Sequence, residues 1–274
     1  ARPMSDWVKT ARVPKEVATT TAQAIAESQS TPGCIASLIL PADAAWQDAG
    51  EFKQAPPVPT ISAPKKVSKK ALEHCARIIR EEEDVLILLG GKTLRETSLE
   101  WAGKLVSHCG VSLMTEFAAA RTQRGAGRVH VPRMPYVVDV ALEATKRFKH
   151  AILVNTKPPV AFFAYPNKPS LLLSEDCQIH TLATVPEDGP QALVDLAKIL
   201  GAENAEIQRQ PSDLPKLPSG KLDSDTISAV VANVLPEGAI VSDESISMGR
   251  NLLDFTKGCP PHDWLFITGG SIGQ

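Results

Sequence analysis

The side chains best suited to chemistry lie near the end of the chain, where two short apolar runs are each followed by polar residues or glycines. The run 239–241 leads into 242–249, a stretch of hydroxyls and carboxylates, and the run 264–267 leads into the glycine-rich stretch 268–274. In an open α/β sheet, ligands bind at the carboxyl ends of the strands. Glycines let the backbone approach a ligand closely, and N–H groups at a helix start can face a phosphate. These two tips therefore predict a site for a phosphate-bearing ligand.

Asp243 and Glu244, in the first of these tips, have two interpretations that the residues alone leave open. Carboxylates at the end of a strand can act as acid–base groups or as metal ligands. They can equally serve only to cap the helix that follows, where they interact favourably with its dipole.

A second glycine-rich turn, Gly90-Gly91-Lys92-Thr93, follows the apolar run 85–89. It lacks the preceding glycine of the Walker pattern, and the three spaced glycines of a dinucleotide fingerprint are absent too. The residues favour a tight strand-to-helix turn. The alternative is a turn whose backbone N–H groups face a nucleotide.

Cations follow other apolar runs and have the same ambiguity. Arg121, Arg124 and Arg128 lie in the glycine-containing segment 121–128, which we predict to be a loop, and Lys157 follows the run 151–154. Solvated cations are the commoner interpretation. The alternative is that guanidinium groups grip a pyrophosphate.

Several classes of protein are disfavoured by what the sequence contains. A formal charge of −2 argues against a nucleic-acid partner, and no apolar run is long enough for a membrane span. No nucleophile elbow, catalytic triad order or metalloprotease helix is present. The five cysteines are scattered singly, which predicts reduced thiols and a cytoplasmic location.

Apolar periodicity predicts an α/β protein with parallel sheets, because helical and strand patterns alternate and the strand patterns are apolar on both faces. The predicted helices are 15–28, 71–80, 94–107, 137–148, 190–200 and 223–235, the last with Asp223 or Ser224 as its cap. The predicted strands are 34–40, 85–89, 111–114, 151–154, 178–183, 239–241 and 264–267.

Two proline-rich segments, 54–70 and 202–221, divide the chain. One helix and one strand before the first segment cannot bury themselves, and the chain stops within a glycine-rich turn. We therefore expect a complete central domain of three Rossmann-like layers at 71–201. The tail of one domain (1–53) and the beginning of another (222–274) would flank it.

The order of these parts resembles the thiamine-diphosphate-dependent enzymes of the acetolactate synthase-like family, which also contains benzoylformate and oxalyl-CoA decarboxylases. The resemblance covers nearly all of the chain. Its motifs are Leu38-Ile39-Leu40-Pro41-Ala42-Asp43 (closing strand of a pyrimidine-binding domain), Val85-Leu86-Ile87-Leu88-Leu89-Gly90-Gly91 (start of the central domain), Ile240-Val241-Ser242-Asp243-Glu244 and Thr268-Gly269-Gly270-Ser271-Ile272-Gly273 (first strand ends of a diphosphate-binding domain), and Ala161-Phe162-Phe163-Ala164-Tyr165-Pro166 with His262-Asp263-Trp264, which are similar to a bacterial branch of large-subunit-like proteins.

The resemblance implies an enzyme that decarboxylates a 2-keto acid and either releases an aldehyde or transfers the carbanion to a second carbonyl. Its cofactors would be thiamine diphosphate, an ylid and electron sink, and Mg²⁺. By the resemblance, Glu244, Ser245, Ile246 and Ser247 approach the diphosphate, and Gly269, Gly270, Ser271 and Ile272 approach the two rings. The catalytic glutamate would precede Ala1 and the metal-binding Gly-Asp-Gly would follow Gln274. We therefore expect no catalytic residue, no metal ligand and no turnover in this chain alone.

In the family the central domain binds FAD in acetolactate synthases, ADP in oxalyl-CoA decarboxylases, and nothing in the simple decarboxylases. Gly90, Gly91, Arg124 and Lys157 would be the contacts of a bound nucleotide. The coenzyme site lies between subunits in the family, which implies a homodimer or tetramer. Two alternatives remain: a non-catalytic nucleotide-binding or scaffold module, and a dehydrogenase with a divergent dinucleotide fold, which the missing three-glycine fingerprint disfavours.

Overall fold

The computed structural model describes residues 1–51 and 55–268. The chain divides into two compact units, Ala1–Lys66 and Val67–Gln274. The boundary between them falls within the proline-rich segment 54–70.

The first unit is a two-stranded parallel sheet with helices. Its elements are β1 (Trp7–Thr10), α1 (Pro14–Gln29), β2 (Ala36–Ile39) and α2 (Ala42–Trp46). Proline at the first position of α1 suits that helix, because its fixed φ is helical and its missing N–H would have no partner there. The sequence predicts α1 and β2. It does not reveal β1, since Lys9 and Thr10 interrupt the apolar pattern of that short strand.

The second unit contains two sheets. In chain order its elements are α3 (Lys69–Glu81), β3 (Val85–Leu89), α4 (Glu96–Cys109), β4 (Ser112–Thr115), β5 (Arg121–Arg124), α5 (Val138–Thr145), β6 (His150–Val154), β7 (Gln178–Ala183), α6 (Gly189–Leu200), α7 (Ser224–Val234), β8 (Ile240–Asp243), α8 (Leu252–Phe255) and β9 (His262–Phe266), with a 3-10 turn at Gly91–Leu94. The central sheet has the order β4-β3-β6-β7 and is parallel throughout. The other sheet has the order β5-β9-β8.

The central sheet has a hydrophobic core on each face, which is why its strands are apolar throughout. Val85, Ile87 and Leu89 of β3 pack on one side with α3, α4 and α6, whereas Leu86 and Leu88 pack on the other side with α5. All five residues are buried. This three-layer arrangement confirms the predicted α/β fold class with parallel sheets.

Polar caps and glycines define the ends of several helices. Asp223 caps α7 in a capping box with Thr226, and Asp188 caps α6 by accepting from the Gln191 N–H at 3.0 Å. Gly110 and Gly201 follow α4 and α6 with φ near +73°, the left-handed conformation that glycine adopts without strain. Of the two residues predicted as the α7 cap, Asp223 is the one that acts.

The prediction of a loop over 121–128 is wrong for its first half. Arg121–Arg124 forms β5, which pairs antiparallel with β9, Arg121 opposite Leu265 and Arg124 opposite His262. The strand is Arg-Thr-Gln-Arg and has no apolar alternation, so its pairing depends on a partner far along the chain. Among the residues that the structure describes, no helix is both long and apolar enough to cross a membrane.

Candidate active site

The strand ends that precede the two predicted tips lie side by side. β8 and β9 are parallel, and their last residues, Asp243 and Phe266, are partners in the register. The segment 244–249 therefore leaves the same edge of the sheet as the segment that begins at Ile267. Asp243 is buried, and its Oδ1 accepts hydrogen bonds from Ser245 N at 3.0 Å and from Ser245 Oγ at 2.5 Å. This carboxylate thus shapes the turn locally.

The four residues predicted to contact the diphosphate come directly after Asp243 in the chain. Glu244 is half-buried, while Ser245, Ile246 and Ser247 are exposed, Ile246 by 65%. Gly249 packs so closely on Ser245 that a side chain there would overlap the serine. The predicted ring contacts Gly269, Gly270, Ser271 and Ile272 lie outside the described residues.

Arg133 lies at this edge, and no pattern in the sequence indicates it. Its backbone extends the end of β4: Thr115 N donates to Pro132 O at 2.8 Å, and Met134 N donates to Thr115 O at 2.9 Å. The guanidinium carbon lies 5.2 Å from the ring centre of Phe117 and 4.7 Å from that of Phe266. Nη1 is buried and has no hydrogen-bond partner among residues 1–51 and 55–268. An unsatisfied buried cation is costly, so this donor is an observation that a ligand could explain.

The second predicted site lies at the carboxyl ends of β3 and β6. A Cβ at Gly90 would lie 2.6 Å from the carbonyl oxygen of Asn155, so only glycine fits that turn. Asn155 Nδ2 donates to Thr184 O at 2.7 Å and to Glu187 O at 3.0 Å, and a side chain at Gly189 would overlap the Asn155 amide. Asn155 therefore connects the β3 turn, the β7 end and the start of α6. The connections of β3 and β6 run in opposite directions, which is the topology of a ligand crevice.

Glu116 contributes a carboxylate to this crevice. Its Oε2 accepts from Thr156 Oγ1 at 3.2 Å, and Oε1 lies 3.2 Å from the position of a Cβ at Gly90. Burial raises the pKa of Glu116, against the opposing effects of the Thr156 hydroxyl and the Lys157 charge. Gly90, Gly91 and the exposed Lys157 thus lie around an acidic group, which suits a hydroxyl or an amine better than a phosphate.

Arg124, the fourth predicted nucleotide contact, is instead engaged within the β5-β9 part of the unit. It is 8% exposed, and its Nη1 donates to Thr256 Oγ1 at 2.6 Å while Nη2 donates to Leu253 O. Its guanidinium lies 5.1 Å from the Trp264 ring centre. Within the described residues, the hydrogen bonds of the Arg124 side chain thus run to Thr256 and Leu253 and not to the Gly90-Gly91 turn.

Sequence reasoning missed Glu116, Arg133 and Asn155. Glu116 immediately follows an apolar strand, and this is the position at which α/β sheets place ligand-binding groups. Asn155 has φ +52°, a conformation that a sequence does not show. Over 1–51 and 55–268, no group of three or more His, Cys, Asp or Glu side chains is placed to hold a metal ion.

The fold is that of thiamine-diphosphate-dependent enzymes. A provisionally assigned enzyme of this kind from Mycobacterium smegmatis matches 99% of this chain with 55% of its own, at a TM-score of 0.69 and 16% identity. The thiamine-diphosphate-dependent 4-hydroxybenzoylformate decarboxylase of Rhodococcus jostii matches 97% of this chain with 53% of its own, at a TM-score of 0.67 and 14% identity. At these identities the likeness establishes the fold.

A curated relative confirms the resemblance at the level of sequence. The Mycobacterium tuberculosis protein IlvX, provisionally named as an acetolactate synthase large subunit, is 36% identical over 270 residues. The match includes 98% of this chain and 51% of IlvX, so the chain spans about half the length of this relative. No protein-family model matches the sequence.

Proposed function

We propose that this chain is part of a thiamine-diphosphate-dependent enzyme that decarboxylates a 2-keto acid and releases an aldehyde or transfers the carbanion to a second carbonyl. The observation that supports it best is the parallel pairing of β8 with β9, with Asp243 opposite Phe266. Two tips with ligand-binding character thereby leave one sheet edge, as the coenzyme site requires. The likeness of sequence and fold points to the same class of enzyme.

In this proposal the segment 244–247 lines the diphosphate. Its exposed serine hydroxyls and backbone N–H groups are suitable donors for phosphate oxygens, and Gly249 keeps the turn tight. The bound coenzyme would supply an ylid and an electron sink. The chain's own residues would hold and orient it. Gly269, Gly270, Ser271 and Ile272 are proposed to approach its rings.

The remaining features of the proposal follow from the resemblance. They are Mg²⁺ as the metal, a homodimer or tetramer as the assembly, and a division into a pyrimidine-domain tail (1–53), a central domain (71–201) and the start of a diphosphate domain (222–274). All five cysteines lie in the described residues as thiols without disulfides, which supports a cytoplasmic location.

The test is an assay of carbon dioxide release from pyruvate or benzoylformate with thiamine diphosphate and Mg²⁺. We propose that a verified chain of these 274 residues shows no turnover, because by the resemblance the catalytic glutamate and the metal ligands are supplied by residues other than these. We expect turnover from a protein that also supplies those groups. Activity of the 274-residue chain would contradict the missing-ligand argument, and failure of the complete protein to bind thiamine diphosphate would refute the function.

A second candidate is a nucleotide-binding or scaffold module that uses the central sheet alone. The crevice formed by Gly90, Asn155 and Thr156 supports it, and Glu116 would accept hydrogen bonds from a ribose rather than face a phosphate. Calorimetric titration with FAD, ADP and thiamine diphosphate separates the two. Binding of FAD or ADP without any binding of thiamine diphosphate would favour the module.

A further inference from the structure

We infer that Arg133 is an oxyanion-binding residue at the edge where β4, β8 and β9 end, and that its half-buried guanidinium, whose Nη1 is fully buried, binds either the coenzyme diphosphate or the substrate carboxylate. The inference rests on the proposed function and adds to it a residue from the central part of the chain. It depends on the position of the side chain, on its unsatisfied donor and on the rings that hold it.

The position of Arg133 is fixed by three strand ends. Its backbone pairs with Thr115, the last residue of β4, and its side chain reaches Phe266, the last residue of β9. Phe266 is the register partner of Asp243, the last residue of β8. The carboxyl ends of parallel strands are where α/β sheets bind ligands. Arg133 is thus placed at the ligand-binding edge.

The two aromatic rings leave the guanidinium with a restricted set of partners. Phe117 and Phe266 are in contact with each other, with ring centres 5.3 Å apart, and both lie within 5.2 Å of the guanidinium carbon. Rings attract the cation but accept no strong hydrogen bonds from its N–H groups. Arg133 keeps its planar fork in one orientation at little further cost in entropy, which is the arrangement that favours recognition of carboxylates and phosphates.

The nearby carboxylates do not explain the unsatisfied donor. Asp243 and Asp254 are close enough to act on Arg133 electrostatically, yet Nη1 has no hydrogen-bond partner in the part of the chain that the structure describes. Asp243 Oδ1 is already bonded twice to Ser245. A buried charged donor without a partner is destabilising unless a ligand or a water supplies the acceptor.

The experiment compares four forms of the complete protein that contains this chain: the wild type, Arg133→Met, Arg133→Lys and Arg147→Met. Met preserves the length and apolar contacts of the side chain and removes the donors. Arg147 is the matched control, since it also stacks on a phenylalanine ring (4.4 Å, Phe148), but its donors contact Asp84 and Ser112 near the opposite end of the central strands. The probes are thiamine diphosphate, inorganic pyrophosphate, pyruvate and methyl pyruvate, titrated by calorimetry into the protein with Mg²⁺.

We expect Arg133→Met to weaken one class of oxyanion probe by at least about tenfold, because hydrogen bonds to charged groups are the strong ones. If the diphosphate is the ligand, binding of thiamine diphosphate and pyrophosphate falls. If the carboxylate is the ligand, the coenzyme-loaded variant binds pyruvate more weakly than the wild type does. Its affinity for methyl pyruvate is then unchanged. Arg133→Lys should retain part of the affinity, and Arg147→Met should bind as the wild type does.

Thermal unfolding of the ligand-free proteins gives a second measurement, which does not depend on catalytic activity. Arg133→Met should unfold no earlier than the wild type, because it removes a buried donor that has no hydrogen-bond partner among the described residues. If Arg133→Met unfolds early, Arg133→Lys carries the binding test. Unchanged binding of all probes in both Arg133 variants would overturn the inference. Failure of the complete wild-type protein to bind thiamine diphosphate would instead refute the proposed function.

Discussion

Three histidine rings form a hydrogen-bonded row that joins α3 to β6 and β7. Arg77 Nη2 lies 3.2 Å from His74 Nδ1, His74 Nε2 lies 3.0 Å from His180 Nδ1, and His180 Nε2 lies 3.1 Å from His150 Nδ1. His150 Nε2 lies 3.4 Å from Glu82 Oε2. All four contacts are satisfied together when each ring is neutral and carries its proton on Nε2. An added proton on His180, the middle ring, would place two donors face to face, so the row favours a neutral His180.

The row predicts a loss of stability on acidification. Burial lowers the pKa of His180 below 6.5, and the neighbouring His74, His150 and Arg77 lower it further, against the weaker opposing effect of Glu82. The unfolded chain therefore binds more protons, and the stabilisation is complete above pH 6.5 and is lost as the pH falls below it. One proton corresponds to about 1.4 kcal/mol per pH unit. Urea unfolding between pH 8 and pH 5 measures the slope.

Two variants distinguish the contribution of this row to the pH dependence of stability from that of other histidines. His180→Gln should unfold with a smaller dependence on pH than the wild type, whereas His108→Gln, on the exposed face of α4, should keep the full dependence. Burial also lowers the pKa of His262, to about 4, so some dependence should persist in His180→Gln. Identical slopes in His180→Gln and the wild type would show that the row does not titrate with folding.

Gly90 offers a test of close packing at the crevice. Its φ is −144°, which any residue adopts, so the cost of Gly90→Ala is only the collision with Asn155 O and with Thr156 Cβ, 2.6 and 2.9 Å from the new atom. We expect a loss of about 1–3 kcal/mol in the free energy of unfolding. Gly127→Asn is the control, because Gly127 has φ +77° with no atom near a Cβ, and asparagine tolerates that conformation. Equal stabilities of the two variants would contradict the packing argument.

At the scale of elements, charge rather than apolar pattern attaches β5 to β9. Arg121 Nε donates to Asp263 Oδ2 at 2.8 Å, and Arg128 Nη1 donates to His262 O at 2.8 Å and lies 3.8 Å from Asp263 Oδ1. Arg128 Nε also pairs with Glu96 at 3.1 Å. Asp263 is 8% exposed, so Arg121 pairs with a buried carboxylate that Arg128, already paired with Glu96, approaches as well.

Asp263→Ala should therefore destabilise the protein by about 2–4 kcal/mol, because it removes a buried carboxylate that pairs with Arg121 and lies close to Arg128. The loss stays below the upper limit for a buried pair, since Arg121 is half exposed and Arg128 keeps its ion pair with Glu96. The control is Asp139→Ala, which removes the exposed ion pair with Lys168 and should cost at most about 1 kcal/mol. Chemical denaturation measures both. A loss at Asp263 no larger than that at Asp139 would show that the β5–β9 contact is weak.

The same elements show how far the sequence leads. β3 has the predicted bounds, 85–89, since a strand covered by helices on both faces is marked by its own residues. β7 also has the predicted bounds, 178–183, although it is an edge strand whose first four residues are not buried. β5 is not so marked, because its pairing is determined by Asp263 and other residues about 140 positions later. For the same reason Arg133 could not be predicted: its neighbours Thr115, Phe117 and Phe266 come from separate segments. Contacts within one element are readable from the sequence, and contacts between elements are not.

At the scale of the whole molecule, the proposed ligand sites belong to one unit. The central sheet and the β5-β9-β8 sheet both lie in Val67–Gln274, where β5 leaves the central part of the chain and pairs with the last strand. Arg133 likewise joins the central part of the chain to β9, since it pairs with the end of β4 and its side chain contacts the end of β9. An edge formed by both sheets can combine binding groups from distant parts of the chain.

The boundary between the two units predicts the first site of proteolysis. Lys65 and Lys66 are exposed, and the irregular segment before them contains several prolines and forms no helix or strand in its described residues 55–64. Exposed segments that lack packed secondary structure are the preferred sites of cleavage. Limited trypsin digestion should therefore cut after Lys65 or Lys66 first and release Val67–Gln274 as a resistant fragment, which mass spectrometry identifies. The variant Lys65→Gln/Lys66→Gln should lose this early cut, whereas early cleavage within the central sheet would contradict a compact second unit.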